Sequence, residues 1–405
     1  MLRTLFLSAF FCVSVTGHAQ TFTLESAVSH ALKNNPELAA ARFSIEEAQG
    51  RLLQSGRRSN PELESDLKPS VRGREFTFGV GFVQKFPLTN RLRLEKAVSQ
   101  AELAAAESEI RAAEWRLAAA VRTVGVKYLS LQQSRALKER LIANSRELAN
   151  SAADLAKRAE GSEAEAAQFE LEAQQIELEL LQIESEKAVL AGELRPLLGI
   201  SSAETVGIKG ELPGISLPEG AAVDVSQRAD YQTAQAKAEA ARQGIDLARA
   251  NRWEDLSVGL SAEVGRAEDA PEGLETEGFI GLRFSLPLPL WNKNEGRIKE
   301  AEAAAARTRK EVDAVALQVR AEAAAALGEM KAAARIVDET GNALLPKAQS
   351  IEDKLAKFYK EAQPGTQLSD VLRAREKRLA LEQAKLDALR TYHLARIRFA
   401  AATGR

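Results

Sequence analysis

Cysteine is almost missing from this sequence: Cys12 is the only one, and it sits in the N-terminal apolar stretch. That stretch, "MLRTLFLSAFFCVSVTGHAQ", has the plan of a secretory leader. Arg3 supplies the positive region, Leu5 to Val15 the short apolar run, and Gly17 and Ala19 the small residues before a cleavage point ahead of Gln20. Residues 1–19 are therefore expected to be removed as a signal peptide. Phe10 and Phe11 stand where a lipid-attachment site needs small residues, so Cys12 reads as ordinary leader sequence. The mature chain then has no cysteine, which excludes disulfides, thiol nucleophiles and thiolate metal sites. Histidine is nearly as scarce. His30 and His393 lie in different halves, and neither has a partner at ligand spacing, so no metal site and no cofactor is expected. No Ser–His–Asp order, phosphate-binding glycine loop or paired-carboxylate pattern supports an enzyme. A formal net charge of −2 gives no basic field for nucleic acid. After residue 20 there is no apolar run of the ~20 residues that a spanning helix needs. A membrane role would have to come from strands.

What the sequence has in plenty is alanine, glutamate, leucine and arginine, with 28% charged residues and 5% aromatics, the composition of long helices. It also repeats itself. "NNPELAAARFSIEEAQGRLLQSGRRSNPELESDL" (34–67) opens one half and "RADYQTAQAKAEAARQGIDLARANRWEDLSVGL" (228–260) the other. The first repeat, 20–199, reads as helices, strands at about 62–72 and 75–86, a long helix at about 91–158 and a helix at about 162–198. A Gly- and Pro-rich linker, 200–224, follows. The second repeat, 225–405, reads as helices, strands at about 255–265 and 278–286, a long helix at about 294–360 and a helix at about 366–402. Asn35 caps a helix that has Pro36 at its first position. From Arg91 to about Arg158 Gly125 is the only glycine and proline is absent, giving a helix of roughly 100 Å. Heptad rows run along the helices: Leu103, Ile110, Leu117, Val124 and Leu131; then Leu141, Leu148 and Leu155; Phe169, Ile176, Ile183, Leu190 and Leu197; and Leu372, Leu379 and Leu386. His393 falls on the last row and reads as a helix-interface residue. The rows are narrow and the other faces polar, as in antiparallel coiled coils wet on both sides.

The strands alternate strictly. Phe76, Phe78, Val80, Phe82 and Phe86 share a face of "FTFGVGFVQKF" (76–86). Leu256, Val258, Leu260, Ala262 and Val264 share a face of "DLSVGLSAEVG" (255–265). Ile280, Leu282, Phe284 and Leu286 share one in "FIGLRFSL" (279–286), and Leu63, Leu67 and Val71 in "ELESDLKPSV" (62–71). Strands of about ten residues with this alternation match membrane-spanning strands, with the apolar residues facing lipid. No helix has a broad apolar surface left to cover such a sheet. Pro287 and Pro289 then stop the ladder. Trp253 and Trp291 stand at the strand ends that join helices, where indoles favour the membrane interface. Four strands leave two open edges, and each unpaired backbone group in lipid costs several kcal/mol. The chain is therefore expected to oligomerise, giving eight strands as a dimer or twelve as a trimer. The opposite loops are "RGRE" (72–75) and "RAEDAPEGLETEG" (266–278). The acidic run in the second, Glu268, Asp269, Glu272, Glu275 and Glu277, reads as a solvated loop that could attract cations.

Taken together these features resemble the outer membrane efflux family, the TolC-type channels. The resemblance is carried by "TLESAVSHALKNNPELAAAR" (23–42), by the duplicated halves and by "GTQLSDVLRAREKRLALEQAKLDALRTYHLARIRFAAATG" (365–404). Within that family "NPELESDL" (60–67) and "FSLPLPLWNKNEGRIKEAEA" (284–303) resemble the cobalt–zinc–cadmium resistance branch. The resemblance implies a mixed, mainly α fold. Four strands per chain would join a trimeric 12-stranded outer membrane barrel, and long antiparallel helices would form a periplasmic α-barrel. It implies a homotrimer in outer membrane lipid, working with a periplasmic adaptor (membrane fusion) protein and an inner membrane RND pump, and performing no chemistry itself. It also implies a periplasmic gate near "AQPGTQLSDVLRAR" (362–375). Asp370 matches the first acidic position of that gate, and Arg373 stands where the best-known relatives have a second aspartate. The neighbouring tip, "AEGSEAEAAQFE" (159–170), offers Glu163 and Glu165. Asp370 also fits a plain helix N-terminal acid. The expectation is a passive exit duct for divalent heavy-metal cations. The alternatives are a channel for drugs or organic solutes and a secreted coiled-coil structural or adaptor protein.

Overall fold

The structure is a computed structural model that describes residues 20–71, 74–158, 163–218, 224–269, 273–361, 363, 365 and 367–404. The expected leader, Cys12 and Glu272 lie outside them. In chain order the elements are β1 (Gln20–Phe22), α1 (Leu24–Asn34), α2 (Pro36–Gln54), β2 (Glu62–Pro69), β3 (Phe76–Phe86), α3 (Arg91–Lys157), α4 (Glu163–Leu198) and β4 (Val206–Ile208). After a single 3-10 turn come α5 (Ala229–Ala250), β5 (Leu256–Asp269), β6 (Gly273–Ser285), α6 (Glu295–Asp338), a π-helical segment (Glu339–Leu344), α7 (Leu345–Lys360) and α8 (Leu368–Thr403). The chain divides into two compact units, each drawing on both sequence halves. One takes the segments up to Ala39, Ala113–Val223 and Arg320–Arg405; the other takes Ala40–Ala112 and Asp224–Val319.

The first unit is helical. At one end α1 lays Ala27, Val28 and Ala31 against Val121 and Val124 of α3 and Leu194 and Leu198 of α4, all buried. This explains Gly125 in the long helix. A Cβ there would stand 2.4 Å from Leu24 Cδ1, so α1 approaches α3 where a side chain has been omitted. Asn35 does two jobs. Its Oδ1 accepts from Leu38 N at 2.8 Å to cap α2, and its Nδ2 donates to Pro196 O and Leu197 O, both at 3.1 Å, to satisfy the end of α4. Gly199 completes that end at φ +69, with Ile200 N donating to Arg195 O at 3.0 Å.

Within the expected linker 200–224, contacts at residues 206–216 pin the chain to this unit. β4 pairs in parallel with β1, Val206 opposite Gln20 and Ile208 opposite Phe22. Further on, Pro213 O meets His393 Nε2 at 2.9 Å, and Ser216 N donates to Tyr392 Oη at 2.9 Å. His393 is buried, as expected of an interface residue. Desolvation holds its pKa below the ordinary histidine value, against the opposing hydrogen bond to Pro213.

Away from α1 the unit is built from α3, α4, the end of α6, α7 and α8, with Ala323, Ala326 and Met330 of α6 buried against Tyr392, Ala395 and Phe399 of α8. Leu137, Leu141, Ile142, Ala173 and Ile176 join α3 to α4; Leu148, Ala152, Leu155, Phe169, Tyr359, Leu368 and Val371 bring in α7 and α8. The heptad row on α8 differs from expectation. Leu372, Leu379 and Leu386 are only half-buried, and the buried row is Leu368, Val371, Arg375 and Arg378. The leucine spacing is real, but two arginines hold the seam one position away, because carboxylates on the facing helices neutralise them.

Arg375, 2% exposed, donates from Nη1 to Ser145 Oγ at 2.7 Å and Glu172 Oε2 at 3.0 Å. Its guanidinium lies over the Phe169 ring at 5.8 Å. Arg375 Nε lies 3.5 Å from Glu352 Oε1 without a hydrogen bond, while Arg378 donates to Glu352 directly and to Glu382 at 2.5 Å. Burial opposes the charge of Arg378, and Glu352 and Glu382 outweigh it, so its pKa is raised.

The long helix expected at 294–360 is interrupted. Pro346 has no N–H to donate and its ring crowds the carbonyl four residues back, so the turn before it widens into the π segment.

The second unit carries a four-stranded antiparallel sheet in the order β2-β3-β5-β6. Its central ladder, β3 with β5, joins the two sequence halves, with Phe82 opposite Leu260 and Phe78 opposite Val264. β5 and β6 run further than expected, to Asp269 and from Gly273. The acidic stretch is mostly a β-hairpin, with Arg266 opposite Thr276 and Ala267 opposite Glu275. Extended strands tolerate this string of charges because both faces are exposed there.

Glu352→Ala should destabilise the helical unit by about 3–5 kcal/mol, since it leaves two buried guanidinium groups facing each other. Glu382→Ala, at an i, i+4 pair nearer solvent, should cost under about 1 kcal/mol. Thermal melts of the helical circular dichroism signal in detergent check this; equal shifts for the two variants would contradict it.

Candidate functional site

The sheet has two chemically opposed faces, and the register assigns every strand residue to one of them. Leu63 faces Phe82, which faces Leu260, which faces Leu282. Leu67, Phe78 and Val264 form a second row, and Val80, Ala262 and Ile280 a third. Val258 pairs with Phe284, and Leu256 with Phe86. Phe76, Phe78, Val80, Phe82, Leu256, Val258, Leu260, Val264, Ile280, Leu282 and Phe284 therefore stand on one face. Leu286 follows one residue beyond β6.

This face is open to solvent. Ile280 is 84% exposed, Leu282 69%, Phe284 67% and Phe82 51%. So broad an apolar patch marks an interaction surface. Among the described residues the β2 and β6 edges bear no strand partner.

The other face is polar and crowded. Glu62, Glu64, Asp66 and Lys68 of β2, Lys85 of β3, Glu263 of β5, and Arg283, Glu277 and Glu275 of β6 all project there. Of these nine residues six are acidic and three basic. Lys85 meets Glu62 at 2.5 Å, and Arg283 reaches Glu64 at 3.5 Å across the two intervening strands. Glycines line this face. A Cβ at Gly79 would come within 3.2 Å of Glu263 Cγ, and one at Gly281 within 3.0 Å of Ser261 Oγ. The glycines leave room there for the side chains of the neighbouring strands. Phe279 departs from the pattern: it lies on the polar face opposite Glu263 and is 59% exposed.

The strand–helix junctions are fixed by a contact that the sequence did not announce. Arg91, the first residue of α3, forms a two-pronged pair with Asp255, the residue before β5: Nε to Oδ1 at 3.0 Å and Nη2 to Oδ2 at 2.6 Å. Thr89 Oγ1 donates to Ala250 O at 3.2 Å beside it. Bidentate pairs of this kind are among the stronger charged contacts. The only sequence signal was an arginine and an aspartate placed at equivalent strand ends. At the following junction Asn294 takes a left-handed backbone at φ 58 and donates from Nδ2 to Ala248 O at 2.8 Å. Trp253 is exposed and Trp291 almost wholly so.

In the helical unit each of the charges named for a gate has a definite local setting. Asp370 accepts from Gln367 N at 3.2 Å and so caps α8. Arg373 is exposed and forms no ion pair among the described residues; it does not pair with Asp370. On the other tip Glu165 accepts from Tyr359 Oη at 2.7 Å and Glu163 is exposed. Burial, then Glu165, raise the Tyr359 pKa. Lys360 bonds Glu147 at 2.5 Å and lowers that carboxyl's pKa. Sequence reasoning missed both tip links and the buried Arg375–Glu352–Arg378 group. A signal was available: arginines three apart on an otherwise apolar heptad row. No three groups of histidine, cysteine or carboxylate converge to hold a metal ion among the described residues.

No family model matches the sequence, and no curated protein is significantly similar to it. Solved structures are. CusC, whose crystal structures concern folding and transmembrane channel formation, superposes with a TM-score of 0.78 at 18% identity, covering 96% of this chain and 95% of its own. The outer membrane protein VceC of Vibrio cholerae gives 0.74 at 22% identity, covering 94% and 96%. The open state of the Neisseria gonorrhoeae outer membrane channel MtrE gives 0.71 at 18% identity, covering 94% and 88%. The mainly helical chain with its small antiparallel sheet thus has the fold of the TolC-type outer membrane channels.

Proposed function

We propose that this chain is the outer membrane component of a tripartite efflux pump, a passive exit duct for divalent heavy-metal cations. The observation that carries the reading is the sheet: one face apolar and exposed, the other charged, both edges open among the described residues. Only lipid outside and water inside suit both faces at once. Three copies give the twelve strands of the barrel, with Phe76, Phe78, Val80, Phe82, Leu256, Val258, Leu260, Val264, Ile280, Leu282, Phe284 and Leu286 toward lipid and Trp253 and Trp291 at the interface. The helical unit stands in the periplasm and meets an adaptor protein and an inner membrane RND pump.

The metal reading rests on the resemblance of 60–67 and 284–303 to the cobalt–zinc–cadmium branch. The acidic excess on the polar face agrees with it, since a negative field concentrates cations in a wet pore. Asp370 and Arg373 stand at the periplasmic mouth, where Asp370 serves as helix cap and supplies negative charge to the gate.

A strain lacking this protein should become selectively sensitive to zinc, cobalt, cadmium or related ions, with recovery on complementation. Sensitivity to drugs and detergents alone would keep the duct and reject the metal cargo. In planar bilayers Asp370→Ala and Arg373→Glu should alter conductance or its block by multivalent cations. Unchanged conductance and block in both would remove the gate assignment.

A further inference from the structure

The two junctions that carry a strand into a long helix follow one plan, and the second is enlarged. β3 passes to α3 through four residues, 87–90, whereas β6 passes to α6 through nine, 286–294. Both end on an asparagine whose carbonyl accepts from the first turn of the helix: Asn90 O from Leu94 N at 3.1 Å, and Asn294 O from Ile298 N at 3.0 Å. The added length is mostly apolar. Leu286 to Trp291 form an unbroken run in which Leu288 is 59%, Leu290 63% and Trp291 94% exposed. The β6 ladder holds one end of this lobe, and the Asn294 bond to Ala248 O holds the other. Its backbone suits an apolar setting. Pro287 and Pro289 have no N–H, and Leu290 N donates to Leu288 O at 2.8 Å, so half of its six positions need no water for a donor.

Unspent cations gather at the same end of the sheet. In the junction segments and the first turns of α3 and α6, Arg57, Arg58, Arg93, Arg252, Lys293 and Arg297 are exposed and make no ion pair among the described residues. Glu254 and Glu295 are the exposed acids there without one, while Asp255 is taken by Arg91. The far end of the sheet has the opposite sign, with Glu75, Glu268, Asp269, Glu275 and Glu277 against Arg74 and Arg266 among the described residues. The cations border the apolar surface. Arg58 lies over the Phe86 ring at 5.9 Å, and the pairing of Ser257 with Ser285 brings Arg252 and Trp253 beside the lobe.

We propose that 286–293 is a wedge that enters the periplasm-facing leaflet of the membrane, and that Arg57, Arg58, Arg252 and Lys293 bind the phosphates of anionic phospholipids around it. The inference rests on the membrane reading above and adds the leaflet and the headgroup. Two observations choose this occupant. The apolar face of β6 continues into the lobe without a break, from Leu282 and Phe284 to Leu286, Leu288 and Leu290. The cations stand at the level where that face ends, as a layer of phosphates beside acyl chains requires. Arg57 and Arg58 lead into β2, the opposite outer strand, so closure of the ring brings them to the lobe of the next copy.

The chain has three tryptophans, so Trp115→Phe with Trp253→Phe leaves Trp291 as the reporter. This full-length variant is reconstituted in phosphatidylcholine bilayers. A fixed fraction of the lipid, either phosphatidylglycerol or phosphatidylcholine, is brominated near the headgroup end of its acyl chains. Both brominated lipids should quench Trp291, and the titration should give phosphatidylglycerol about threefold or more the relative affinity at moderate salt. Combining Arg57→Gln, Arg58→Gln, Arg252→Gln and Lys293→Gln should bring the two lipids to parity while quenching persists. Equal quenching by the two lipids before those changes overturns the headgroup assignment. Loss of the preference on adding inorganic phosphate at constant ionic strength makes the cations a site for free anions and also overturns it. A second reporter, Leu282→Trp with all three native tryptophans changed to Phe, separates the remaining failures. Quenching at position 282 without quenching of Trp291 overturns the wedge and leaves the barrel; quenching at neither overturns both.

Discussion

Backbone hydrogen bonding at the two sheet edges is the constraint on which the rest depends. β2 and β6 each present a row of donors and acceptors with no partner in the sheet. In water such edges invite aggregation; in lipid each unpaired group costs several kcal/mol. In the order β2-β3-β5-β6 every neighbour is antiparallel, so the two outer strands run in opposite senses. An outer strand of one copy can therefore add antiparallel to the opposite outer strand of the next.

The helical unit answers a similar demand by different means. Its helices carry too little apolar surface for a globular core, so charge and small contacts fix their register. Arg375 and Arg378 occupy seam positions that leucine would fill in a plain coiled coil, and Glu352 and Glu172 hold them. Asn35 and Gly199 lock α4 to the start of α2, and the chain after α4 is stitched down through β4, Pro213 and Ser216.

Much of this was legible in the sequence because its periods are simple. Period-two alternation placed Phe78, Leu260 and Leu282 on one face, and the register agrees row by row. The absence of proline and the heptads placed the long helices, and Asn35–Pro36 gave the start of α2. What escaped notice depends on contacts between distant segments. Arg91–Asp255 joins residues 164 apart in sequence, and Arg375–Glu172 residues 203 apart. β4 is three residues long and exists only because β1 is beside it. The π segment was announced by Pro346 and overlooked because the flanking helical pattern is strong. The leucine row on α8 misled for the same reason, since Arg375 and Arg378 do not look like core residues until their carboxylates are seen.

The central claim is that the apolar face of the sheet meets lipid while the polar face meets water. Spin labels placed singly along β6, from Phe279 to Ser285, in the protein reconstituted in bilayers measure this directly. Labels at Ile280, Leu282 and Phe284 should collide readily with oxygen dissolved in the bilayer. Labels at Gly281, Arg283 and Ser285 should instead respond to a water-soluble paramagnetic complex. That alternation, residue by residue, is the predicted result. Uniform access of the water-soluble probe along the whole strand would place the sheet outside the membrane and contradict the account.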